Sequence, residues 1–295
     1  MNNKMYEIMK NGCGFIAALD QSGGSSSKTL KAYGIDETEY SSEEEMFELI
    51  HEMRKRVFTS PSFNSEHILG AILFEKTMMS EVEGEYTADY LWNKKGIVSF
   101  LKVDKGLMEE KNGVKLMKDM PNLDDELKKA NEKHIFGTKM RSVIYEANEK
   151  GIEEIVCQQF SVAKTICDAG LVPIIEPEVD IHAEDKEECE KILKEKIIER
   201  LDSWDAHDKI MFKFTLPSKD NFYLDLYEFD AVVRIVALSG GYDLDTAVDK
   251  LAKNKKMIAS FSRALLQNLN VKQSEEEFNE KLNDVIVKIY NASLT

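Results

Sequence analysis

The chain has 295 residues, 43% of them hydrophobic and 32% charged, with a formal net charge of −15. That length fits either two average domains or one large α/β barrel, and so acidic a chain argues against a nucleic-acid or anionic-membrane partner, each of which wants a basic face. The opening MNNKMYEIMK lacks the apolar core of a signal peptide, and no apolar run approaches the ~20 residues of a membrane span, so a cytoplasmic protein is expected.

In chain order, the first β-rich run is GFIAALD (14–20), followed by the small-residue turn SGGS (22–25). SEEEMFELIHEMRKRVF (42–58) then reads as a helix with a Ser42/Glu45 capping box and a buried stripe of Met46, Leu49, Ile50, Met53 and Val57. HILGAILF (67–74) and IVSFLKVD (97–104) are the second and third runs, and residues 106–123 form the longest irregular-looking piece, expected as a loop near a barrel mouth. The fourth and fifth runs are FGTKMRSVI (136–144) and LVPIIEPEV (171–179). After them, residues 183–204 have the interleaved charges and apolar spacing of a surface helix. KIMFKFTL (209–216), VVRIVALSG (232–240) and MIASFSRAL (257–265) complete eight runs. Eight β-rich runs separated by helical segments predict an α/β fold, a single (β/α)8 TIM barrel with parallel strands. With no repeat, linker or low-complexity tract, one domain over 1–295 is expected. The four cysteines are far apart, without a CxxC pair, and read as reduced structural thiols.

Ionisable residues gather near the carboxyl ends of the runs, the end at which a barrel builds its active site: Asp20, Lys102 and Asp104, Lys139 and Arg141, Glu176 and Glu178, Lys213, and Arg263. Lys102 with Asp104, Lys139 with Arg141, and Glu176 with Glu178 are two apart, so each pair shares a strand face. The bland alternative makes them solvent-facing residues of amphipathic strands, or charges just past strand ends. The sharper reading is chemical. A lysine is a nucleophile only when neutral, and desolvation with a nearby cation, for which Lys139 and Arg141 are available, lowers its pKa. Lys213 could then attack a carbonyl to form a Schiff base, with Glu176 shuttling protons and Asp20 taking a proton from a substrate hydroxyl. The turns SGGS (22–25) and LSGG (238–241), with Lys102 and Arg263, suggest two phosphates.

The ordered motifs AALDQS, FLKVDKG, FGTKMRS, VPIIEPE, FKFTLP, LSGG and SFSRAL resemble class I fructose-1,6-bisphosphate aldolase over nearly the whole chain, most closely its shorter bacterial branch. The resemblance implies reversible cleavage of fructose 1,6-bisphosphate to dihydroxyacetone phosphate and glyceraldehyde 3-phosphate, in glycolysis and gluconeogenesis, through a lysine imine and without metal or cofactor. Carried over by motif, it makes Lys213 the imine lysine, Glu176 the general acid/base with Glu178 as companion, and Asp20 the handler of the C4 hydroxyl proton. Lys139 and Arg141 become the KxR pair and Lys102 lies near the C6 phosphate and C4 hydroxyl. Ser239, Gly240 and Arg263 correspond to the C1 phosphate site, and Ser22 and Ser25 to the C6 phosphate side.

Departures from the family pattern are Gln21 for a glutamate, Ser262 for a glycine, Thr29 after Lys28 where animal-type members have an arginine, and an end at NASLT where longer relatives carry a terminal tyrosine. Partners are thus expected to be a sugar bisphosphate and triose phosphates, with no nucleic acid or membrane, and a homo-oligomer is left open. The rival readings are a metal-dependent aldolase, which wants histidines spaced as ligands, a one-phosphate Schiff-base barrel of the transaldolase kind, and a sugar-phosphate binder without chemistry.

Overall fold

The computed structural model describes residues 2–22 and 24–295. Eight parallel strands follow one another in chain order: β1 (Phe15–Leu19), β2 (Ile68–Leu73), β3 (Val98–Lys102), β4 (Gly137–Ile144), β5 (Val172–Val179), β6 (Ile210–Thr215), β7 (Val232–Leu238) and β8 (Met257–Ala259). β8 returns to β1, where the Ala18 N–H donates to the Phe261 carbonyl at 3.2 Å, so the sheet is a nearly closed (β/α)8 TIM barrel. Its strands are covered on both faces, which is why they read as near-continuous apolar runs.

Side-chain alternation sorts the core into two layers. Outward residues such as Phe212, Phe214, Met140, Ile175 and Leu101 pack against the helices. Inward ones, among them Ile16, Ile72, Phe100, Ile174, Met211, Val236 and Ile258, fill the lower barrel. Helix Asn3–Asn11 joins this inner layer through Met5 and Met9 and so stoppers the amino-terminal end of the barrel. Arg234, buried on β7, fixes that stopper by donating to the Met9 and Gly12 carbonyls at 2.8 and 3.0 Å. Arg234→Met orphans both acceptors; urea unfolding should report a loss of about 2–3 kcal/mol.

Several elements differ from the sequence expectations. The eighth run stops being a strand at Ala259, and Arg263–Leu266 is a short helix, because the chain leaves the barrel once Phe261 has bonded across to β1. Part of 106–123 is not irregular: Val114–Lys115 pairs antiparallel with Val143 and Ile144 of β4, on the edge that the β3 to β4 ladder leaves after Lys139. On helix Glu43–Thr59 Ser42 caps Glu45, but the Glu45 carboxylate returns to Ser41, at 2.6 Å from its N–H. Leu49 of that helix is only half-buried, whereas Phe47, Arg54 and Phe58 are buried. No helix among the described residues is long and apolar enough to cross a membrane.

Candidate functional site

The inward positions above the apolar plug are polar. Strand register sets Lys102 beside Lys139, an arrangement of like charges that needs an anion between them. Asp104 supplies it: one carboxylate oxygen lies 2.8 Å from Lys102 Nζ and the other 3.8 Å from Lys139 Nζ. Lys139, only 3% exposed, also lies 2.6 Å from Asp20 Oδ2 and 3.1 Å from Glu176 Oε2. The other Glu176 oxygen is 3.0 Å from Nζ of Lys213, itself 4% exposed. Three lysines and three carboxylates therefore interlock at the carboxyl ends of β1 and β3 to β6, with opposite charges matched.

Burial alone would raise the Asp20 pKa, but the ammonium groups of Lys139, Lys213 and Lys102 outweigh it and hold this carboxyl well below the usual range. For Lys139 burial favours the neutral amine, and Asp20, Glu176 and Asp104 outweigh it, so its pKa is raised. Of the two cations expected near Lys213, Lys139 shares the Glu176 carboxylate with it, whereas Arg141 is engaged by Glu178, 2.5 Å away.

The regular pairing of β5 with β6 is short. Their Cα pairing consists of Ile174 with Met211 and Ile175 with Phe212, and stops below Glu176 and Lys213. Higher up, the Thr215 hydroxyl rejoins the strands by donating to the Val179 carbonyl at 2.6 Å. The chain leaving β6 is fixed by buried Glu190, which accepts from the Ser218 N–H at 3.0 Å and pairs with Lys186. Two carboxylate oxygens in the cluster, Glu176 Oε2 and Asp104 Oδ2, accept no hydrogen bond from the described residues. The Glu176 atom is within ion-pair distance of Lys139, but the N–H geometry is poor.

Beyond β7, Gly240 and Gly241 have φ of +64° and +124°, and a Cβ on Gly240 would lie 2.6 Å from Ile181 Cγ2. Only glycine fits there. Arg263 comes alongside, its Nη2 3.4 Å from where a Gly241 Cβ would sit, so Ser239, Gly240 and Arg263 are brought together. Ser22 and Ser25 open helix Gly24–Tyr33: the Ser22 N–H donates to Ser25 Oγ at 2.9 Å, and that hydroxyl donates back to the Ser22 carbonyl at 2.7 Å. Both are thus engaged with each other, and Gly23 of that turn lies outside the described residues. Tyr290 packs edge-on against His67, just before β2, at the opposite end of the barrel from the lysine cluster.

Sequence reasoning underrated Asp104, which bridges two lysines, and missed Arg54. A basic residue four beyond Ile50 and three before Val57 falls on the helix's apolar stripe, and that position was the readable signal.

Among solved structures, the chain is similar to fructose-bisphosphate aldolase from Plasmodium falciparum, crystallised with TRAP and a small-molecule inhibitor. The identity is 18% and the TM-score 0.77, over 99% of this chain and 93% of that one. A Corynebacterium glutamicum protein matches at 10% identity with a TM-score of 0.50, over 99% and 92% of the two chains. At such identities these likenesses speak for the fold. The family model for glycolytic fructose-bisphosphate aldolase class-I matches residues 1–219, a span that includes Asp20, Lys139, Glu176 and Lys213 but not Ser239, Gly240 or Arg263. With most of its length matched by that family, the chain belongs to the class-I fructose-bisphosphate aldolases.

Proposed function

We propose that the protein cleaves fructose 1,6-bisphosphate reversibly to dihydroxyacetone phosphate and glyceraldehyde 3-phosphate through an imine on Lys213, without a metal, as a cytoplasmic lyase of glycolysis and gluconeogenesis. The observation that carries this reading is the contact of buried Lys213 with Glu176, whose other oxygen faces Lys139. A carboxyl group 3.0 Å from the amine can take its proton and return one to the carbinolamine oxygen. The amine attacks C2 of the ketose, water leaves, and the iminium becomes the sink for the electron pair of the C3–C4 bond. As that bond breaks, Asp20 takes the C4 hydroxyl proton and the aldehyde departs. The resulting enamine is protonated at C3 and hydrolysed to release the second product.

Asp20, held low by Lys139, is a weak base in the free protein. A C4 hydroxyl inserted between the two loosens that ion pair and restores basicity where it is needed. Arg263 with the Ser239–Gly240 backbone is assigned the C1 phosphate. Lys102, Arg141, Ser22 and Ser25 are assigned to the C6 side, and Glu178 to holding Arg141.

Incubation with dihydroxyacetone phosphate followed by borohydride should leave a mass adduct on Lys213, undiminished by EDTA. An adduct elsewhere, or none, sinks the imine route. Glu176→Gln keeps shape but cannot accept the proton, and should slow trapping by about 10²–10⁴-fold, as quenched-flow sampling would measure. Trapping at the wild-type rate would remove Glu176 from its role.

A further inference from the structure

Arg54 is 1% exposed, and its hydrogen bonds go to neutral oxygens: Nη2 donates to the Gln21 carbonyl at 2.7 Å and to Gln21 Oε1 at 3.1 Å, and Nη1 to Thr77 Oγ1 at 2.7 Å. A guanidinium so buried is costly, and its Nη2, donating to both the carbonyl and the side-chain amide oxygen of one residue, fixes that residue's rotamer. Gln21 turns this to use at the other end of its side chain, where Nε2 donates to Ser262 Oγ at 2.7 Å. The contact crosses the seam between β1 and β8, where no regular ladder runs and the Ala18 to Phe261 bond joins the backbones. Ser262 immediately precedes Arg263, whose guanidinium lies against Gly241. The order of contacts is thus Arg54, Gln21, Ser262, Arg263.

We infer that Gln21, locked by Arg54, is a positioning residue that ties the β8 loop across the seam and sets Arg263 for the substrate phosphate. This rests on the reading of Arg263 as a phosphate ligand. Neither Gln21 nor Arg54 touches the reacting atoms in that reading; they act through the loop. A bidentate clamp works only when its fork is aimed, and an unbraced seam lets the short Arg263–Leu266 helix shift relative to the Ser239–Gly241 turn.

The test compares two ketones that differ by the phosphate. Gln21→Leu removes both side-chain contacts, and Ser262→Ala, at a half-buried position, removes only the seam bond and guards against misfolding in the first variant. For each protein, borohydride trapping on Lys213 is titrated with dihydroxyacetone phosphate and, separately, with dihydroxyacetone. The half-saturating concentration of the phosphate ester should rise about tenfold in both variants, while trapping with dihydroxyacetone stays at the wild-type level. Unchanged half-saturation with the ester overturns the positioning role, and so does an equal loss with both ketones, which would mean only a damaged barrel. Absence of any adduct in the wild-type protein overturns the imine reading itself, and with it this role. An Arg263→Met protein that saturates normally with the ester overturns the phosphate assignment while leaving the imine standing.

Discussion

Lys213→Met is expected to abolish the borohydride-stable adduct and to lower kcat/KM for fructose 1,6-bisphosphate by at least ~10³-fold, with the barrel intact. Methionine fills the space of the lysine stem but offers no amine, so the reaction loses its electron sink. Lys213 is 4% exposed and its ammonium partner is Glu176, which keeps a second cation, Lys139, at 3.1 Å when Lys213 is removed. The remaining carboxylate is therefore not stranded. Thermal melting should show the variant folded, which separates lost chemistry from lost structure. A variant that retains more than a few per cent of wild-type cleavage would contradict the nucleophile assignment, whatever its melting temperature.

Lys139→Met should have the largest effect on stability. It removes the ammonium shared by Asp20, Glu176 and Asp104, at 2.6, 3.1 and 3.8 Å; Glu176 keeps Lys213 and Asp104 keeps Lys102, but buried Asp20 loses its ion-pair partner. Breaking a buried pair from one side costs about 3–5 kcal/mol at neutral pH. The pH dependence fixes the cause. In the wild-type protein the Asp20 pKa is depressed, so its stabilisation is present above the unfolded carboxylate value of about 4 and is lost as pH falls through the lower folded value. In the variant burial of Asp20 is opposed only by Lys213 and Lys102, neither in ion-pair contact with it, so its pKa rises and the folded state takes up a proton at higher pH than the wild type does. The deficit relative to wild type should shrink as pH is lowered from 7 to 5. Urea denaturation at the two pH values measures this, and an identical deficit at both would show that packing, not charge, is what Lys139 supplies.

Both expectations depend on residues whose placement was partly legible before the fold was known. KIMFKFTL was readable because parity assigns Phe212 and Phe214 to one layer and Met211, Lys213 and Thr215 to the other. In the barrel, Phe212 and Phe214 face the helices and Met211 packs in the inner layer. What parity cannot give is the neighbour. The expected cation Lys139 meets Lys213 through a shared carboxylate: the β5 to β6 register, carried on from Ile174–Met211 and Ile175–Phe212, sets Glu176 beside Lys213, while Lys139 on β4 pairs with Ile174, one inward position lower. Asp104 looked minor for the same reason, since its value lies in bridging Lys102 and Lys139 on adjacent strands. Arg263 sits on a short helix, not a strand end, because the chain turns away once Phe261 has closed the seam.

By itself the sequence determined the class of the fold and which charged residues lie at the carboxyl ends of its strands. Alternating β-rich and helical segments require a parallel sheet covered by helices, and charges at the carboxyl ends of the strands mark the end at which chemistry is built. These are local properties, carried by periodicities of 2 and 3.6 residues. Only the tertiary structure decided which charges pair, that Glu176 stands between Lys139 and Lys213, and that Arg54 braces Gln21 against Ser262, 241 residues away along the chain. Such contacts are set by strand stagger and barrel closure, which sum small geometric terms over the whole sheet. A charge's partner is therefore fixed by the closed barrel, whereas its face is fixed by its own strand.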